Sequence, residues 1–356
     1  MNDTLQSRIG TGVGAVAFVG GLAVWTASLF WGGDPARVWR AVLISFLFFT
    51  PLAAGLVVWP AIIRLSRGTW AGEVERSALS SIGFAIPSLL ALAALALSSK
   101  AWAPWWNPAA LPQGVWLWPP FLFARDGAVL AVFWTLAWGY VRRPGQRSAI
   151  LLIVGYLLTF SLLGFDLVMA LDPLWSSELF GGYFVISGLF GAMAAWTFIG
   201  AWVLKSKADT LHDLGRLTLT FSILTSYLMY SQLLPIWYEN LRDETRFIIP
   251  RMHGDWGWVS VVLLMLVYIG PIGALLTIRG KRVPWLVGSS ASLILMGLWV
   301  ERLWLVQPVF HPQPVCGVPE LSMVAAFWGA IVLCRTFSIN LPVPWCETNS
   351  PENAQQ

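Results

Sequence analysis

Ionisable side chains set inside long apolar runs are the residues of this sequence with chemistry to offer. Arg125 and Asp126 lie in FLFARDGAVL, Asp166 lies in GFDLVMALDPLW with Asp172 six residues on, and Glu301 and Arg302 lie in LWVERLWLV. A charge at depth in lipid is costly and normally faces a bundle interior or a water-filled cavity, so each is a functional candidate. The chemistry open to such groups is proton transfer. A buried acid relays protons when desolvation, which raises its pKa, and a nearby arginine, which lowers it, balance near working pH. Sequence neighbours point about 100° apart on a helix, so partners for Arg125 and Arg302 are expected on other helices rather than at Asp126 and Glu301. Arg125 with Asp166 is the expected pair, at matching depth on consecutive helices.

A second set runs along 211–245. It opens with LHDLGR, where His212 and Asp213 could exchange protons with bulk water, histidine being the side chain that titrates near neutral pH. Tyr227, Tyr230, Ser231, Leu234 and Tyr238 then share one helix face by spacing, while Gln232 stacks with Pro235 and Glu239 on another. Pro235 removes the donor that would engage the carbonyl of Ser231 and so leaves an acceptor to be satisfied. These residues are expected to form a polar stripe across the bilayer. The competing reading is a kinked helix with buried hydroxyls bonded to its neighbours.

The elements that must position these groups are membrane helices. Of 356 residues, 57% are hydrophobic, 11% are charged and 23 are tryptophan, a composition foreign to a soluble domain. Apolar runs of spanning length fall near 12–31, 39–63, 77–98, 119–141, 148–171, 179–204, 211–238, 257–278, 283–306 and 320–340. The expectation is an all-α integral membrane protein of ten helices within 12–340, with tails at 1–11 and 341–356. Arg64, Arg67, Arg142, Arg143, Lys205, Lys207, Arg279 and Lys281 follow helices two, four, six and eight, which predicts that both termini are cytoplasmic. The net charge of +4 is read as topology, and no nucleic-acid partner is expected. An acid seven residues before a proline recurs as Asp166 with Pro173 and Glu301 with Pro308. This echo agrees with two four-helix bundles, helices two to five and six to nine, plus two flanking helices.

Several chemistries lack their residues. His212, His253 and His311 fall at helix ends or in loops, so no intramembrane haem is expected. Cys316, Cys334 and Cys346 form no CxxC or CxxCH arrangement. Walker, HExxH, Rossmann and nucleophile-elbow motifs are absent, so no catalytic residue and no metal site is assigned.

Three stretches carry a family resemblance: LGFDLVMALDPLWSSELFGGYF at 163–184, LHDLGRLTLTFSILTSYLMYSQLLPIWYENLRDETRFIIPR at 211–251, and the FLFARD start of helix four. The chain resembles the quinone-binding subunit 2 of the quinol:cytochrome c oxidoreductase of bacterial alternative complex III, within the polysulfide-reductase membrane-subunit (NrfD-like) fold. It departs from that family at Glu239 and Arg242, where a neutral residue and a proline are usual. The resemblance implies a multi-pass subunit of the bacterial inner membrane. Its implied partners are a related NrfD-like membrane subunit, an iron–sulfur protein, multihaem and monohaem cytochrome c subunits, other small membrane subunits and lipid. Quinol, c-type haem and iron–sulfur clusters would reside in those partners, with no cofactor bound here. The implied role is proton conduction coupled to quinol oxidation. Direct quinol binding between the bundles, a free-standing secondary transporter and a pure scaffold remain as rival expectations.

Overall fold

The computed structural model describes residues 2–31, 34–68, 72–106 and 114–338, which are helical almost throughout, with no strand among them. The expected 341–356 tail and Cys346 lie outside the described residues. The principal helices are α1 (Asn2–Trp31), α2 (Pro35–Leu65), α3 (Val74–Leu97), α4 (Pro119–Arg142), α5 (Gln146–Leu167), α6 (Phe180–Val203) and α7 (Ala208–Glu239). They continue as α8 (Arg242–Met252), α9 (Gly254–Leu275), α10 (Pro284–Val306) and α11 (Val318–Ser338). Among the described residues, nine of these, α1–α6 and α9–α11, are long and apolar enough to cross a membrane. The longest, α7, is not among the nine, because its serines, threonines and tyrosines and the charges of its first turns dilute its apolar character. The short α8 was not expected from the sequence.

Local chemistry sets the ends. Asp34 caps α2 by accepting the Arg37 N–H at 3.2 Å, with Pro35 in the first turn. Ser148 bonds back to the Gly145 N–H at 2.9 Å to start α5. Asn240, at φ 49°, closes α7 in the left-handed conformation that asparagine tolerates. For orientation, the end at which α2 begins is called the upper end.

The centre of the molecule is the pair α2 and α6, which pack against each other and are buried along nearly their whole length. Close approach depends on small residues in α6. A Cβ at Gly188 would collide with the Tyr156 hydroxyl and with Pro51 of α2, so only glycine lets those helices meet. Around this pair, α3 packs on α4, α4 on α5, and α5 on both α2 and α6; α7 and α10 also pack on α6, and α9 on α10. The flanking α1 leans on α11, where Gly21 and Gly329 face opposing backbone too closely for any side chain. A two-pronged ion pair at the upper end, Arg37 to Glu320 at 2.9 Å through each prong, ties α2 to α11.

Candidate functional site

Three polar clusters interrupt this apolar interior. The first joins the start of α4 to the end of α5. Arg125 donates from Nη2 to Asp166 Oδ2 at 2.5 Å, the expected pair, and Trp116 Nε1 donates to Asp166 Oδ1 at 3.1 Å. The guanidinium also lies 3.8 Å from the Trp116 ring centre. Contrary to the expectation from helix angles, the Arg125 Nε approaches Asp126 Oδ1 at 3.6 Å, within the reach of so long a side chain. Asp126 is 0% exposed, and neither of its oxygens has a hydrogen-bond partner among the described residues. It lies in electrostatic contact with Asp166. Two buried carboxyls therefore face one guanidinium that is itself 13% exposed.

The second cluster joins α10 to α6. Glu301, 3% exposed, accepts the Tyr183 hydroxyl at Oε1 and the Ser187 hydroxyl at Oε2 at 3.2 Å. Arg302 donates to the same Ser187 oxygen at 2.6 Å, lies 3.9 Å from Glu301 and stands 4.5 Å over the Phe184 ring. Neighbours in sequence again share one network, with Ser187 as the bridge. The Tyr156 hydroxyl, held by the Pro51 carbonyl at 3.1 Å, lies within electrostatic reach of Arg302. The third cluster, at the lower end, brings Glu75 of α3 and Tyr140 of α4 within electrostatic reach of Arg64 of α2.

The residues expected along α7 separate. Gln232 is buried, and together with Ser231 and Pro235 it lines a cavity of about 700 Å³ whose wall also includes Trp116, Glu178 and Glu244. The turn whose carbonyl Pro235 leaves unbonded thus borders this cavity. Tyr227 and Tyr230, 63% and 60% exposed, and Tyr238 point away from the bundle, so the single stripe expected across the bilayer does not form. The reason is packing: α7 meets its neighbours through Leu211, Leu214, Thr218, Ser222, Thr225, Gln232 and Ile236, which turns the tyrosine face outward. His212 and Asp213 lie 3.6 Å apart at the lower end, with Arg216 3.8 Å from Asp213, far along the helix from Gln232. Asp172 is ion-paired at 2.9 Å with Arg246 of α8, and Glu239 is exposed at the end of α7.

Sequence reasoning missed Tyr183, Ser187, Tyr156, Glu75 and Trp116, which carry no charge pattern or occupy helix ends. It also missed two partners for proline-freed carbonyls. Pro271 cannot bond the Val267 carbonyl, and Ser222 of α7 donates to it at 3.1 Å. Pro308 cannot bond that of Trp304, and Arg251 Nε donates to it at 3.1 Å. These prolines were visible, and their orphaned acceptors were the available signal.

A second cavity, about 300 Å³ and largely apolar, lies between α7, α8, α9 and α10, with Glu301, Tyr268 and Trp304 in its wall. Tyr268 sits on the π-helical stretch Leu264–Ile269 of α9. Among the described residues, no group of three or more His, Cys, Asp or Glu side chains is placed to hold a metal ion. No protein-family model matches the chain, and no curated protein matches it.

Proposed function

We propose that this chain is a non-redox membrane subunit of a quinol:cytochrome c oxidoreductase of the alternative complex III type, contributing a proton path coupled to quinol oxidation. The observation that carries the reading is the Asp126–Arg125–Asp166 cluster. Two buried carboxyls against one guanidinium leave a negative charge uncompensated, so the cluster is a place to hold and release a proton. In this reading all ten expected spans cross the bacterial inner membrane, α7 included, with the upper end outside and both termini cytoplasmic. Helices α2–α5 form one four-helix bundle, α6, α7, α9 and α10 the other, and α1 and α11 flank them.

Protons are held at Asp126–Asp166 and at Glu301, and the cavity beside Ser231 and Gln232 supplies water at the outer side. His212 with Asp213, and Glu75 with Arg64 and Tyr140, are the groups available at the cytoplasmic side. Haem and iron–sulfur centres belong to partner subunits in this scheme. The test is Asp166→Asn and Glu301→Gln in the assembled complex: proton movement per quinol oxidised falls while haem content is unchanged. Coupling equal to wild type in both variants overturns the path.

A second reading, direct quinol binding, is favoured by the apolar cavity that places Glu301 and Tyr268 at one wall. Photo-crosslinking with a quinone analogue separates the two, because labelling of peptides from α7 and α9 supports binding and labelling confined to a partner subunit excludes it.

A further inference from the structure

We propose that Trp116 controls whether water reaches the Asp126–Asp166 pair, standing as the partition between that pair and the 700 Å³ cavity. The inference deepens the proton reading and rests on it, but it is argued from the geometry of one side chain. Trp116 touches both spaces. It lines the cavity with Ser231, Gln232 and Glu244, and its indole N–H is bonded to Asp166 at 3.1 Å. Its ring covers the Arg125 guanidinium at 3.8 Å, and the same guanidinium binds Asp166 at 2.5 Å. Asp126 is completely buried, and Asp166 is nearly so. The wall of the cavity, or vestibule, sets Glu178, Ser231, Gln232 and Glu244 among apolar side chains, polar groups to which water can bond, whereas the Asp126 oxygens have no hydrogen-bond partner among the described residues.

The consequence is an access rule. With the indole in place, Asp166 has both oxygens occupied by the protein, Oδ2 by Arg125 and Oδ1 by Trp116. When the indole leaves, Oδ1 loses its donor at the same moment that the carboxyl meets the vestibule, so water takes over the vacated bond. Proton exchange with the upper side would then be limited by displacement of Trp116 rather than by the acidity of the pair alone. Trp116 is a positioning residue in this scheme, acting through Asp166.

Water access is read directly by carboxyl modification with a water-soluble carbodiimide and a small amine, applied to the complex in mild detergent and mapped by mass spectrometry. In wild type, Glu178 and Glu244 at the vestibule are modified and Asp166 is protected. Trp116→Ala raises Asp166 modification on the order of tenfold, the scale expected when a hydrogen bond and its covering ring are lost. Trp116→Phe keeps a ring against Arg125 but removes the N–H, and gives a smaller increase; this milder variant serves if the alanine chain does not fold. Unchanged labelling of Glu178 and Glu244 reports that the fold is intact. Equal Asp166 labelling in wild type and variants, or wild-type Asp166 labelling as fast as Glu178, overturns the proposal. The assay does not measure proton coupling, so its failure is distinguishable from failure of the Asp166→Asn test.

Discussion

Arg251 and Arg125 show that two buried arginines can have opposite meanings. Arg251 donates to three carbonyls, those of Trp304, Leu305 and Phe247 at 3.1, 2.8 and 2.5 Å, and stacks 3.6 Å from the Phe247 ring. Burial pulls its pKa down to about 9, which leaves it charged at neutral pH. Its donors are spent on backbone of α8 and of the end of α10, where Pro308 leaves a carbonyl unbonded, so its task is structural. Arg125 instead spends its charge on carboxyls. Arg251→Met is expected to cost about 2–4 kcal/mol by leaving buried carbonyls unpaired, read as a lower melting temperature of the purified protein. Arg251→Lys should recover little, because an ammonium cannot reproduce the guanidinium fork.

The connections between helices are held as specifically as the helices. Between α10 and α11, the Gln307 side chain bonds Val315 in both directions, at 2.7 and 3.2 Å, and Trp256 Nε1 of α9 donates to the His311 carbonyl at 3.1 Å. The His311 imidazole sits in this loop with its pKa lowered from 6.5, first by burial and then by the charge of Arg40. The folded chain therefore binds that proton less readily than the unfolded chain. Its contribution to stability is present above the unfolded value and is lost as pH falls below it. Melting temperature should drop on acidification from about pH 7.5 to about 5.5, and His311→Gln should flatten that slope. An identical slope in the variant would remove His311 as the cause. Likewise, α7 is legible as a helix from its sequence, yet which face it buries is set by α6 and α9, and its tyrosines consequently point outward.

For the whole molecule, the proposed place in a respiratory complex predicts that gentle detergent extraction of membranes brings c-type haem down with this chain, visible as absorbance in the purified fraction. Purification as a haem-free single chain would favour a solitary carrier instead. Composition and the length of the apolar runs determined that the described residues are helical and built of membrane-length apolar segments, because the cost of an unbonded backbone in lipid leaves helices as the structure such runs adopt. The rarity of charge in the runs also marked Asp126, Asp166 and Glu301 as unusual, and matching depth on consecutive helices was enough to pair Arg125 with Asp166. Only the tertiary structure decided that Arg125 also reaches Asp126, that Glu301 is held by Tyr183 and Ser187, and that Trp116 both bonds Asp166 and lines the cavity beside Ser231 and Gln232. Those facts depend on how helices distant in sequence rotate against one another, and a helical period states which residues share a face but not which neighbour the face meets.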